Sequence, residues 1–207
     1  MNPGPAIEAY SRRADEYVDL LGSIDSVHAV DRALIAEWAR VADGPLIDVG
    51  SGPGHLTEFL REQGHDVRGI EPSAAFVDSA RARFPGCEFW LGDAMTLREE
   101  KGRFAGVLAW YSLIHLPPEE HAETLHALAG ALRPGGTMLL GFFVGRRTEI
   151  FDHAIAPAFF RTVDNVRDQV RAAGLDIVET HTRSGGPHRP HAAVIASKEH
   201  GTKGRTR

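Results

Sequence analysis

Leu46-Ile47-Asp48-Val49-Gly50-Ser51-Gly52-Pro53-Gly54-His55-Leu56 is the stretch on which the reading of this chain turns. Its first half is an apolar run of strand type. Its middle carries glycines at alternate positions, and its end opens an amphipathic pattern with Leu56, Phe59 and Leu60 on one face. A buried strand that turns tightly into a helix N-terminus suits ligand groups carrying negative charge. Glycines let a ligand approach the backbone, and the helix start offers free N–H donors and the positive end of the dipole.

The flanking sequence repeats the alternation. Residues 5–22 read as one helix with Ile7, Tyr10, Ala14, Tyr17 and Leu21 on a face. A second helix is expected from the cap pair Asp25-Ser26 through Val27, Val30, Leu34, Trp38 and Val41, stopping at Gly44-Pro45. Beyond the glycine loop come strands at Val67–Ile70, Cys87–Leu91, Phe104–Tyr111 and Thr137–Val144. Helices fall between them, one capped by Ser73 and one started by Pro118 and broken by Pro134-Gly135-Gly136. Residues 145–161 read as irregular and precede a helix built on Val163, Val166 and Val170. Leu175–Thr182 and His191–Ser197 read as a hairpin across a Gly-Gly-Pro turn. The pattern predicts an α/β fold, a doubly wound, mostly parallel sheet with a late antiparallel strand.

Composition narrows the function. The chain has 207 residues, 43% hydrophobic and 25% charged, with a net charge of −5, which argues against a dedicated polyanion binder. The single cysteine, Cys87, excludes an internal disulfide framework, and no apolar run is long enough to span a bilayer. A cytoplasmic location, no membrane partner and no nucleic-acid partner are expected. One domain over 1–198 is expected, with a flexible basic tail at 199–207. His121 and His126 lie five apart, and His188 and His191 lack neighbouring Cys or acids, so no metal site is expected.

In a doubly wound sheet, ligands bind beyond the carboxyl ends of the strands. Asp48 to Gly54, Glu71, Asp93 and Trp110 to His115 all stand at such ends. Glu71 is spaced from the glycine loop to accept hydrogen bonds from both ribose hydroxyls of a nucleoside. Asp93-Ala94-Met95 is positioned to meet an adenine, its carboxylate taking the exocyclic amine.

Leu46–Gly54 (LIDVGSGPG), Ile70–Pro72 (IEP), Gly92–Ala94 (GDA), Phe104–Leu116 (FAGVLAWYSLIHL) and Ala131–Leu139 (ALRPGGTML) occur in one order. In these stretches the sequence resembles the class I S-adenosylmethionine-dependent methyltransferases, in particular bacterial small-molecule members related to the quinone-biosynthesis methyltransferases. The resemblance covers residues 10 to 197. It implies a seven-stranded Rossmann-like sheet whose last strand inserts antiparallel between strands five and six, with the helices of residues 1–43 covering the cofactor.

It also implies roles. S-adenosyl-L-methionine would be the cofactor and S-adenosyl-L-homocysteine the product. Gly50, Ser51, Gly52 and Gly54 would border the methionyl part, with Asp48 nearby. Glu71, with Pro72 and Ser73 beside it, would hold the ribose, and Asp93, Ala94 and Met95 the adenine. Backbone at Ala109 and Trp110 would face the methionyl amine, and Tyr10 and Tyr17 would close over the cofactor. The family often has a His-His pair after strand four; here it is Ile114-His115, which leaves His115 as the candidate catalytic base. Tyr111, Arg146 and His153 are the candidates for the acceptor.

Arg146 and Arg147 among Phe151, Phe159 and Phe160 suit an anionic, ring-bearing acceptor, or are solvated arginines beside a hydrophobic lid. The implied activity is methyl transfer to O, N or C of a small-molecule acceptor by a monomer or homodimer. An NAD-dependent oxidoreductase shares the glycine loop and the ribose acid, and a non-catalytic cofactor-binding protein would retain the fold.

Overall fold

Alternate residues of the central strands face opposite layers, and this places the core. In the computed structural model, which describes residues 4–185 and 189–200, the glycine-loop strand β1 (Leu46–Val49) is buried throughout. Ile47 and Val49 join one apolar cluster, and Leu46 joins the other. β4 (Phe104–Trp110) and β5 (Leu132–Phe143) alternate likewise, Val107, Ala109, Met138 and Leu140 facing one way and Leu108 and Leu139 the other.

β2 (Val67–Glu71) and β3 (Glu88–Leu91) extend the sheet on one side, β8 (Asp176–Arg183) and β9 (His191–Ser197) on the other. The seven-stranded order is β3-β2-β1-β4-β5-β9-β8. The strands from β3 to β5 are parallel, and β9 runs antiparallel between β5 and β8. This is the expected fold.

Helices cover both faces. Ile35 and Trp38 of α3 (Ala29–Arg40) and Leu56 and Leu60 of α4 (His55–Glu62) fill the cluster around Leu108 and Leu139. The Trp38 indole N–H, buried with its ring, donates to Thr137 Oγ1 at 3.0 Å. α5 (Ala74–Arg83) packs Val77 and Ala80 on Phe89. Leu125 and Leu128 of α6 (Pro118–Ala131) and Val166 and Val170 of α7 (Val163–Ala172) cover the opposite face.

Several local expectations are corrected. Residues 5–22 form two helices, α1 (Pro5–Arg12) and α2 (Ala14–Leu21). Arg13 leaves helical geometry (φ −115°) to hydrogen-bond Glu16 and the Ala154 carbonyl. α3 begins four residues later than expected by sequence, because His28 Nδ1 caps it by accepting from Val30 N, while Asp25 and Ser26 lie in a 3-10 turn over Ile24–Ser26. Val30 and Val41 are exposed, since Asp31, Ile35, Trp38 and Ala39 are the residues this helix buries.

The segment expected to be irregular contains a small antiparallel hairpin, β6 (Glu149–Phe151) with β7 (Ala158–Phe160), where Phe151 stacks on Phe160 at 4.1 Å. The centre of the Gly-Gly-Pro turn, with His188, and tail residues 201–207 lie outside the described residues. Among the described residues no helix is long and apolar enough to cross a membrane, and no cluster of His, Cys, Asp and Glu could hold a metal.

Candidate active site

The loop after β1 is shaped around a carboxylate. Gly50 N and Ser51 N both donate to Ile70 O, which pulls the turn against the end of β2. Gly52, in the left-handed region at φ 53°, then aims its N–H at Glu71 Oε2 (2.9 Å), while Ser73 N donates to Oε1 (2.8 Å). Each Glu71 oxygen keeps a further lone pair for a ligand.

Burial pushes the Glu71 carboxyl up to about 7, partly opposed by those two N–H groups and reinforced by the charge of Asp48. Asp48 sits deeper, 2% exposed, with Thr57 Oγ1 donating to it at 2.7 Å, and burial lifts it too to about 7. Two buried acids within electrostatic reach of each other, near the start of α4, form a site whose charge changes near neutrality.

The three glycines have separate duties. A Cβ at Gly52 would meet nothing within 4 Å, so this position opens to ligand space. At Gly50 a Cβ would run into Ser112. Gly54 caps α4 at φ 84°, and a Cβ there would stand 2.6 Å from the Phe89 ring. Gly54 therefore serves helix-to-strand packing and is not among the residues that line the cavity described next.

That cavity, about 440 Å³, has Gly50, Gly52, Glu71 and Pro72 on the sheet side and Trp110 to Ser112 with Ile114 and His115 along one wall. Tyr10 and Tyr17 roof it, their rings 5.5 Å apart edge to face and both against Phe76. Ser112 Oγ is buried with no hydrogen-bond partner among the described residues and so offers an unused polar atom on this wall.

Three contacts fasten the roof. The Tyr10 hydroxyl lies 3.0 Å from His115 Nε2, Ser11 Oγ is 2.9 Å from Ser73 Oγ, and Arg13 Nη1 donates to Ala154 O at 2.6 Å. His115 Nδ1 stands 2.9 Å from the Pro157 carbonyl, which can only accept. Nδ1 therefore carries the hydrogen, Nε2 is the acceptor, and the Tyr10 hydroxyl donates. Burial holds His115 below the usual histidine range, consistent with that neutral tautomer.

The hairpin brings a second imidazole beside His115. His153 faces His115 with ring centroids 5.4 Å apart, and burial with the charges of His115 and Arg189 lowers it to about 4. The hairpin grips the loop carrying His115 by Phe159 N to Ile114 O (2.8 Å) and Arg161 Nη2 to Leu116 O (2.5 Å).

The remaining candidates fall into three groups. Asp93 closes a capping box, its Oδ1 accepting from Met95 N and Thr96 N, which leaves Oδ2 without a hydrogen-bond partner among the described residues, with Ala94 and Met95 half-buried beside it. Ala109, Ser51 and Ser73 are buried behind the cavity surface, and Ser73 caps α5. Arg146 is exposed after β5 and lines neither this cavity nor the larger one beside it; the chain turns there before pairing β6 with β7. Phe76, Ser112, Ile155 and Phe143 also line the cavity. Of these only Ser112, between two expected site residues, had a signal in the sequence.

Comparison with known proteins agrees with this geometry. The methyltransferase-domain family matches residues 46–136. An uncharacterised methyltransferase of Geobacillus kaustophilus is 27% identical over 168 residues, 79% of this chain and 75% of that protein. A trans-aconitate 2-methyltransferase of Methylobacterium radiotolerans is 40% identical over 111 residues, 51% of this chain and only 40% of that protein. The chain thus spans three quarters of the first relative and less than half of the second.

The fold matches a Burkholderia thailandensis 1,6-didemethyltoxoflavin-N1-methyltransferase crystallised with S-adenosylhomocysteine. The TM-score is 0.69 at 20% identity, covering 96% of this chain and 92% of that one. The chain thus carries a methyltransferase-domain match over residues 46–136 and has the fold of the class I S-adenosylmethionine-dependent methyltransferases.

Proposed function

We propose that this protein moves a methyl group from S-adenosylmethionine to a small-molecule acceptor. The observation that carries the proposal is Glu71: a buried carboxylate fixed by Gly52 N and Ser73 N, with spare lone pairs, on the wall of a 440 Å³ cavity. Ligand hydroxyls that donate to it would repay the cost of burying it. The cofactor fits this donor set. Glu71 would take the ribose, Asp93 Oδ2 with Ala94 and Met95 the adenine, and backbone at Gly50, Gly52 and Trp110 the methionyl end, Ser112 Oγ gaining its missing partner there. Tyr10 and Tyr17, on the helices of residues 1–43, would close the site, and residues 1–198 would act as one domain.

When bound, S-adenosylmethionine supplies a methyl group already activated by its sulfonium. The protein's own task is then to align the acceptor in line with that bond and to keep water out, effects worth about 7–11 kcal/mol in favourable systems. Tyr10, Tyr17 and Phe76 exclude water. Where the acceptor is an alcohol, phenol or acidic carbon, a proton must leave it. The Tyr10 oxygen can accept that proton while its own moves to His115 Nε2, and the Pro157 carbonyl holds the resulting imidazolium through Nδ1–H. An amine acceptor would not need this route. We place the enzyme in the cytoplasm, as a monomer or homodimer without nucleic-acid or membrane partners, in keeping with its net charge of −5.

Parallel calorimetric titrations with S-adenosylmethionine, S-adenosylhomocysteine and NAD test the proposal. Binding of both sulfur nucleosides, lost in Glu71→Ala, is expected. Binding of NAD alone would overturn it in favour of an oxidoreductase, and binding of none would leave a protein that has kept only the fold.

A further inference from the structure

A second and larger cavity, about 900 Å³, adjoins the first; Tyr111 and Phe143 line both. Tyr111 follows the last residue of β4 and is the one non-glycine residue with positive φ (57°) among those described. That conformation is strained for a bulky side chain, and such strain persists where the surroundings over-determine it. Here they do: the Tyr111 ring sits edge-on to Trp110 at 5.3 Å, tilted on Phe143 at 4.9 Å and edge-on to His191 at 5.9 Å. The chain bends out of its strand so that one phenol ring forms the partition between two cavities.

Two carboxylates and two guanidiniums line the second cavity, and a third guanidinium, Arg183, stands behind its wall. Each carboxylate is engaged by an arginine: Asp31 accepts from Arg183 at 2.6 Å, and Asp25 pairs with Arg32 at 3.1 Å. Arg189, on the lining with Arg32, forms no ion pair among the described residues, so it is the lining cation left over once Arg183 and Arg32 have engaged the two acids. It donates only to the Asp152 carbonyl at 3.3 Å and lies 5.0 Å over the Phe151 ring. Phe151 is itself stacked on Phe160 and edge-on to Phe143, so the guanidinium rests on a fixed aromatic platform with donors to spare.

We propose that this cavity holds the acid end of the acceptor, whose reacting end lies past Tyr111 in the first cavity, and that the acceptor is a planar acid, its carboxylate held by Arg189 and its ring or conjugated plane against Tyr111 and Phe143. This rests on the methyltransferase reading, since it names the acceptor class of that site. The anion-binding role expected at Arg146 thus moves to Arg189, a residue distant in sequence that the β8–β9 connection brings to the hairpin. Guanidinium suits the task because its planar fork matches a carboxylate with two parallel hydrogen bonds.

The test uses the full-length protein saturated with S-adenosylhomocysteine, whose binding is measured first. Matched probes follow, benzoate against benzamide and 2-naphthoate against 2-naphthamide, by calorimetry. Each acid that binds is expected to bind about tenfold tighter than its amide. Arg189→Gln should abolish that preference without changing S-adenosylhomocysteine affinity, and Arg32→Gln should weaken it less. Equal binding of acid and amide, a preference surviving Arg189→Gln, or no probe binding while S-adenosylhomocysteine binds would each overturn the proposal. Failure of S-adenosylhomocysteine itself to bind would instead remove the reading beneath it, and the proposal with it.

Discussion

Tyr10 and His115 are 105 residues apart in the chain and hydrogen-bonded to each other at 3.0 Å. The contact joins an N-terminal helix to the loop after β4, so the roof of the cavity and its candidate base report on one another. Opening the roof frees Nε2, and protonating Nε2 removes the acceptor that the Tyr10 hydroxyl uses.

Tyr10→Phe deletes that bond while keeping the ring contacts with Tyr17 and Phe76. A hydrogen bond of this kind contributes about 0.5–1.5 kcal/mol net. S-adenosylhomocysteine should therefore bind roughly 2–10-fold more weakly, with an unchanged thermal midpoint for the sheet core. An affinity identical to the wild type, read by calorimetry, would show that the roof closes without this contact.

Glu71 makes cofactor affinity depend on pH. Its carboxyl is raised from 4.5 to about 7 in the folded protein, so the folded state holds the proton more tightly than the unfolded chain. The free protein should lose stability as pH rises across that window, with Asp48 acting in the same direction. Ribose binding needs the carboxylate, so S-adenosylhomocysteine affinity should move the other way, rising about tenfold from roughly pH 6 to roughly pH 8 with release of a proton. Glu71→Gln should bind weakly and without this dependence. A flat profile in the wild-type protein would contradict the role given to Glu71.

The glycines separate stability from binding. In Gly54→Ala the new methyl meets the Phe89 ring at 2.6 Å in a left-handed backbone, and a loss of about 2–4 kcal/mol is expected in denaturant unfolding. Gly52→Ala has open space around it and should lose only about 1–2 kcal/mol to strain. Its methyl would face the cavity, so ligand affinity should suffer more than stability. The reverse order would show that the cavity is not where the cofactor lies.

Arg161 is 1% exposed, donates to Leu116 O at 2.5 Å and has an Nη1 with no hydrogen-bond partner among the described residues; burial pulls it down to about 10. Arg161→Met removes the cost of burying a charge along with the tether on the His115 loop. Stability should hold or rise, while amide exchange across residues 114–116 speeds up. A large drop in the thermal midpoint would show that the cation is itself needed for the fold.

Much of this was legible in the sequence because the signals were local. Alternation of apolar strands with helices put Glu71, Asp93 and the Trp110–His115 loop at the carboxyl ends of β2, β3 and β4, where the structure has them. Local signals also misled: the face formed by Tyr10, Ala14 and Tyr17 continues through Arg13, yet the helix breaks there for a contact with Ala154, which lies beyond any periodicity. His153 reaches His115 through a hairpin whose three-residue strands are too short to show alternation. Arg189 reaches the second cavity only because β9 inserts beside β5, a pairing set by the whole sheet.

The measurement that tests the account most directly is a crystal structure of the protein with S-adenosylhomocysteine. The account predicts the nucleoside in the cavity beneath Tyr10 and Tyr17, its ribose hydroxyls on Glu71 and its sulfur on the side of the Tyr111 partition. Ligand bound elsewhere, or bound here with Glu71 turned away from the ribose, would contradict it.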